Sequence, residues 1–178
     1  TGAASGVGLG IAYAMADAGA SVVVSDIDGD GAQTVADAIV AAGGRAVACR
    51  TDVTSASDLE ALAEPAVSSF GAVHVVANNA GVMTQGSLAD ATEDDWSWVL
   101  EVNLRAVLAS VRVFLPHLRQ HAPGHIVNTV SMSAVAPRLG GELGVYSATK
   151  GALLIYSEIL RAELEPDGIG VSALLPGP

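Results

Sequence analysis

The stretch that most constrains this chain is Ser21-Val22-Val23-Val24-Ser25. Consecutive β-branched side chains favour extended backbone, and a run apolar at every position rather than every second one reads as a strand buried on both faces. Such strands belong to parallel sheets covered by helices, and the rest of the chain is spaced accordingly. An Ala-rich helix is expected over residues 8–18, stopped by Gly19, and a second over 30–42, closed by Gly43-Gly44, before a strand at 46–50. Ser55 with Asp58 has the form of a capping box, after which Leu59, Leu62, Ala63, Ala66, Val67 and Phe70 recur along one helical face. A strand at 73–77 runs into Asn78-Asn79-Ala80-Gly81. Thr92 with Asp95 starts a helix whose inward stripe carries Trp96, Val99, Leu100, Asn103, Val107, Val111 and Phe114; Trp96 and Trp98 read as packing residues. A strand at 125–130, a Gly- and Pro-rich loop at 134–143, a helix through Tyr146 to about residue 168 and a strand at 170–175 complete the order. The pattern predicts one α/β domain of 178 residues with a doubly wound parallel sheet between two helical layers.

Composition narrows the function. With 51% hydrophobic and 15% charged residues the chain suits a compact core. No apolar run approaches the ~18 residues of a membrane span, and no basic segment precedes an apolar stretch at the start. A formal net charge of −11 repels a phosphate backbone, which argues against nucleic acid as a partner. Cys49, the single cysteine, cannot form an internal disulfide or a thiolate zinc site, so a cytoplasmic setting is expected. His74, His117, His121 and His125 are scattered, and the His117/His121 pair lacks a nearby carboxylate, so no metal site is expected.

The polar residues at strand ends carry the chemistry. Gly2, Gly6 and Gly8, in Thr1-Gly2-Ala3-Ala4-Ser5-Gly6-Val7-Gly8, let backbone N–H groups approach a pyrophosphate at a helix N-terminus; an ordinary glycine turn is the plainer alternative. Asp26 follows Gly6 by the ~20 residues at which an acidic side chain binds the two ribose hydroxyls of an adenosine. With no Arg or Lys close by in sequence for a 2′-phosphate, NAD is favoured over NADP; the alternative is a solvated turn shared with Asp28 and Asp30. Asp26, Asp52, Asn79, Ser131 and Pro176-Gly177 each follow an expected strand, so all should line the crevice beyond the carboxyl ends of the sheet. Asn103 interrupts an apolar stripe and must brace backbone groups, order a water chain, or both. Tyr146 and Lys150, one helical turn apart, place an ammonium beside a phenol and suit proton exchange with an alcohol or ketone.

Taken together, these segments resemble the short-chain dehydrogenase/reductase family over nearly the whole chain. The glycine turn is similar to that family's TGxxxGxG, residues 78–81 to its NNAG, Tyr146 with Lys150 to its YxxxK, and Pro176-Gly177 to its Pro-Gly after the sixth strand. The resemblance implies a Rossmann-like, three-layer fold whose first and last strands this chain lacks. An internal fragment of a longer protein is therefore expected, aggregating or partly unfolded when isolated. The resemblance also implies a cofactor held by residues 2 and 5–8, Asp26, Asp52-Val53 at the adenine, residues 79–81, Tyr146, Lys150 and residues 176–177. Asn103, Ser131, Tyr146 and Lys150 match the catalytic tetrad; Ser133 satisfies the family's usual spacing to the tyrosine, and Ser131 its strand-end pattern. The implied reaction is hydride transfer at nicotinamide C4, with Tyr146 exchanging the alcohol proton, Lys150 lowering the phenol pKa and holding the nicotinamide ribose, Ser131 holding the substrate oxygen, and Asn103 ordering water. Met132, Pro137, Leu139 and Leu143 suggest an apolar wall for a secondary alcohol or ketone. Lys150, Leu153 and Ser157 should face the site with Tyr146. Ala152, Ile155, Tyr156 and Ile159 make the opposite side apolar too, which suggests a homodimer or homotetramer. A silent NAD sensor and a methyltransferase are the rival readings.

Overall fold

The computed structural model describes residues 1–137 and 142–177. They form two compact units, Thr1–Val73 and His74–Pro178.

In the first unit, α1 (Gly6–Asp17), β1 (Ser21–Asp26), α2 (Gly29–Ala41), β2 (Arg45–Arg50) and α3 (Ala56–Phe70) alternate as expected. The strands pair in parallel, Ser21 opposite Arg45 and Asp26 opposite Arg50. Asp28 caps α2 by accepting from Gly31 N at 3.0 Å, and buried Ala32, Val35, Ala36 and Ile39 recur at i, i+3, i+4 and i+7 against Val24. This layer is the unit's core, and truncating Ile39 to Ala would cost roughly 2–5 kcal/mol. Ser55 caps α3 by accepting from Asp58 N. Of its expected stripe, Leu59, Leu62 and Ala63 are buried, while Val67 is 41% exposed.

In the second unit, β3 (Val75–Asn78), β4 (Gly124–Thr129) and β5 (Ile169–Leu174) pair in parallel in that order. Val75 lies opposite His125, and Gly124 opposite Ile169. Strand β3 starts two residues later than expected. The Thr92–Asp95 capping box opens α4 (Glu93–Leu100), which leads into α5 (Ala106–Gln120), and α6 (Gly144–Leu164) follows β4. Val107, Val130 and Leu153 form a core cluster with Leu104, Leu154, Tyr156 and Ala173 around it.

Two expectations are corrected here. The helix carrying Asn103 is not continuous α-helix: residues Glu101–Arg105 form a π turn, with Ala106 N donating to Glu101 O. Trp98 is 51% exposed and is no packing residue in this unit.

Candidate active site

Each unit holds part of the expected constellation. In the first, Ala3 N donates to Ser25 O at 3.0 Å, laying the glycine turn along the end of β1. Asp26, at the end of β1, accepts from Ala4 N at 2.9 Å through Oδ2 and from Asp28 N at 3.0 Å through Oδ1, so its carboxylate is fixed against the turn. Gly2 and Gly6 adopt left-handed backbone (φ 62° and 56°), which other residues adopt only with strain. Ser5, Gly6 and Val7 are exposed, Gly8 is buried, and the first turn of α1 carries no acidic side chain to compete with an anion. Asp52 follows β2, where Thr51 N donates to Asp26 O at 2.8 Å. Its Oδ1 accepts from Thr54 N and Thr54 Oγ1 at 2.9 and 2.7 Å, while its own N–H donates to Asp58 Oδ2 at 3.0 Å. That N–H and the Ser55 hydroxyl hold the Asp58 carboxyl below its ordinary range. Val53 is half-buried in the turn beside them.

In the second unit, Asn103, Tyr146 and Lys150 lie close together, joined through Thr149, Gly81 and the Tyr146 ring. Asn103 is fully buried and makes three hydrogen bonds: Oδ1 accepts from Val82 N at 2.8 Å, and Nδ2 donates to Val82 O at 2.8 Å and to Thr149 Oγ1 at 3.2 Å. These bonds brace the backbone of Val82, one of the roles open from the sequence. The π turn widens the helix by one residue per turn at this point. Gly81 is packed between two of these groups: a Cβ built on it would stand 3.3 Å from Asn103 Oδ1 and 3.4 Å from Lys150 Nζ. Asn79, its neighbour in the same turn, accepts from Thr129 Oγ1 at 3.1 Å, and half-buried Ala80 lies between the two.

Lys150 is 3% exposed and donates to Thr129 O at 2.7 Å; Nζ lies 5.7 Å from the centroid of the half-buried Tyr146 ring. Burial of the ammonium lowers its pKa from 10.5 to about 8. Ser131 follows β4, and its Oγ accepts from Ser133 N at 3.1 Å and from Ser133 Oγ at 3.0 Å. Ser133 thus spends its proton on Ser131, whose own O–H is left to donate outward. Met132 N donates to Pro176 O at 3.1 Å, tying the half-buried Pro176 and exposed Gly177 to the serine turn.

Sequence reasoning missed several residues around this site. Asn78 Nδ2 donates to Asn128 Oδ1 at 2.9 Å, Ser110 Oγ to Asn78 Oδ1 at 2.6 Å, and Asn128 Nδ2 to Ser157 Oγ at 2.9 Å, all buried. Ser157, expected to face the site, therefore belongs to this internal relay. The available signal was a polar side chain at an inward position, the same signal that singled out Asn103. Of the expected apolar wall, Met132 and Pro137 are exposed and Leu143 half-buried, while Leu139 lies outside the described residues. Pro178 lies outside them too. Among the described residues no three His, Cys, Asp or Glu side chains gather as metal ligands, and no helix is long and apolar enough to cross a membrane.

Comparison with known proteins decides the family, because residues 1–178 match the short chain dehydrogenase family. The chain belongs to that family. Within it, the chain is 37% identical to cyclohexanol dehydrogenase of Acinetobacter sp. (strain SE19), with 99% of this chain and 70% of that protein aligned. It is 39% identical to the probable oxidoreductase EphD of Mycobacterium tuberculosis over 99% of this chain, and spans only 30% of that longer protein. The crystal structure of a short chain dehydrogenase/reductase from Burkholderia phymatum in complex with NAD superposes with a TM-score of 0.91 at 38% identity, covering 99% of this chain and 63% of that one. The Rossmann-like α/β fold that the resemblance implies is the fold of the family. A dinucleotide fits the groups present: left-handed glycines at a helix N-terminus free of acidic side chains, and a carboxylate fixed beside them.

Proposed function

We propose that this short chain dehydrogenase interconverts a secondary alcohol and a ketone, using NAD in preference to NADP. Asp26 and the glycine turn would hold the adenosine and pyrophosphate, with Asp52 and Val53 at the adenine. Residues 79–81, Lys150 and residues 176–177 would hold the nicotinamide half. NAD, when bound, takes up or supplies the hydride.

The observation that carries this reading is the desolvated ammonium of Lys150 beside the Tyr146 ring. In oxidation, Tyr146 acts as the phenolate and its Oη takes the alcohol proton as hydride leaves the carbinol carbon; in reduction the neutral phenol gives its proton to the carbonyl oxygen. The Lys150 charge stabilises the negative charge that develops on the phenol oxygen as its proton leaves, and in a buried setting that attraction is weakly screened. Ser131 donates its hydroxyl to the substrate oxygen, and Asn103 keeps the turn beside Lys150 in place. The relative named cyclohexanol dehydrogenase makes cyclic and linear secondary alcohols the first substrates to try.

On the outer side of α6, Ile155 and Ile159 are 61% and 55% exposed, an apolar surface suited to a symmetric homodimer or homotetramer. A reducing, cytoplasmic setting suits a chain whose one cysteine is Cys49.

The test is NADH formation by the intact protein across cyclohexanol, linear secondary alcohols, sugars and steroids, with NADP in parallel. Turnover of at least one secondary alcohol is expected, lost by about 100-fold or more in Tyr146→Phe while NADH binding persists. Full activity in Tyr146→Phe would remove the assigned chemistry.

A further inference from the structure

The Tyr146 and Lys150 motif leaves position 149 open, yet Thr149 is 1% exposed and joins two residues of the site. Its hydroxyl donates to Tyr146 O at 2.8 Å and accepts from Asn103 Nδ2 at 3.2 Å. We propose that Thr149 is a positioning residue for the reaction, its side-chain oxygen locking the Asn103 amide in one orientation and thereby the turn at residues 79–81 beside Lys150. The inference rests on the dehydrogenase reading of the site.

The lock follows from where each proton goes. Because Thr149 spends its single hydroxyl proton on Tyr146 O, only lone pairs face Asn103. On the other side, Val82 presents an N–H to Asn103 Oδ1. An amide turned over would set oxygen against the lone pairs of Thr149 and N–H against the N–H of Val82. One orientation survives, and it clamps both backbone groups of Val82. Gly81 precedes Val82 and is wedged between Asn103 Oδ1 and Lys150 Nζ. Without the Thr149 acceptor, the two Val82 bonds alone hold the amide and one Nδ2 proton loses its partner, so the wall against which the ammonium stands is held less tightly.

Three variants test this in the intact protein. Thr149→Val keeps the shape and removes the acceptor; it should lower kcat about tenfold, the equivalent of one lost hydrogen bond, and raise the KM for NAD, because the turn it loosens is assigned to the nicotinamide half. Thr149→Ser keeps the oxygen and should recover kcat to within about twofold of wild type. In ¹H–¹⁵N spectra, the Asn103 side-chain amide protons should exchange slowly in wild type and Thr149→Ser, and fast in Thr149→Val. Wild-type kcat and slow exchange in Thr149→Val would overturn the proposal, as would a Thr149→Ser variant as impaired as Thr149→Val. If Thr149→Val fails to fold, Thr149→Ala takes its place; loss of near-UV dichroism in both would make the hydroxyl a folding element and also overturn it. If wild type oxidises no alcohol, the dehydrogenase reading falls, while the exchange data still decide whether Thr149 locks Asn103.

Discussion

Lys150 Nζ donates to the backbone carbonyl of Thr129 at 2.7 Å, and among the described residues no carboxylate pairs with the ammonium. Its charge is therefore buried against a carbonyl dipole and the Tyr146 ring rather than against an opposite charge. Burial brings its pKa from 10.5 to about 8. In the unfolded chain the same lysine stays protonated to about pH 10.5, so between about 8 and 10.5 the unfolded state binds more protons and stability rises with pH. Below about pH 8 both states are charged and the burial penalty is fully present, of order 3 kcal/mol. Urea unfolding of wild type and Lys150→Met from pH 7 to 10 checks this: the variant should gain on wild type at pH 7 and lose that margin by pH 10. Parallel stability profiles would contradict it.

Ser131 and Ser133 stand 3.0 Å apart, with Ser133 donating to Ser131. Ser131→Ala should reduce kcat by about 100-fold, as loss of a donor to a developing oxyanion does, and Ser133→Ala by only a few-fold. Steady-state kinetics of the two variants, with equal NADH affinity as a control, separate the roles. The reverse order would move the substrate contact to Ser133.

On the proposed reading, Asp26 sets the preference for NAD. Asp26→Asn keeps hydrogen-bonding capacity but removes the charge, and should weaken NAD binding about tenfold while narrowing its advantage over NADP. Titration by tryptophan-to-NADH energy transfer measures both. Unchanged discrimination would show that Asp26 serves only to accept from Ala4 N and Asp28 N.

The outer face of α6 predicts assembly. Ile155→Glu with Ile159→Glu should shift the intact protein toward monomer in analytical ultracentrifugation, with little effect on folding because both side chains are already more than half exposed. An unchanged sedimentation coefficient would place the interface elsewhere.

Asn103 shows where the sequence stopped being informative. Its anomaly was visible as an amide in an apolar stripe, but the π turn that carries it was not. Its partners Val82 and Thr149 lie 21 and 46 residues away, and only their closure on one amide justifies the widened turn. The relay from Ser110 through Asn78 and Asn128 to Ser157 was hidden for the same reason: each link spans 29 to 50 residues. Trp98 failed differently, since helical phase cannot tell a side buried in its own unit from one left open.

What the sequence determined by itself was local or periodic. The β-branched runs, the capping residues Ser55 and Thr92, the helix stripes and the strand-end polar residues all act through neighbours within a few positions, so spacing alone reveals them. Only the tertiary structure decided which polar groups meet. Buried donors and acceptors must find partners wherever the fold brings them, and that pairing set the Asn103 clamp, the Ser131–Ser133 proton order and the carbonyl that holds Lys150.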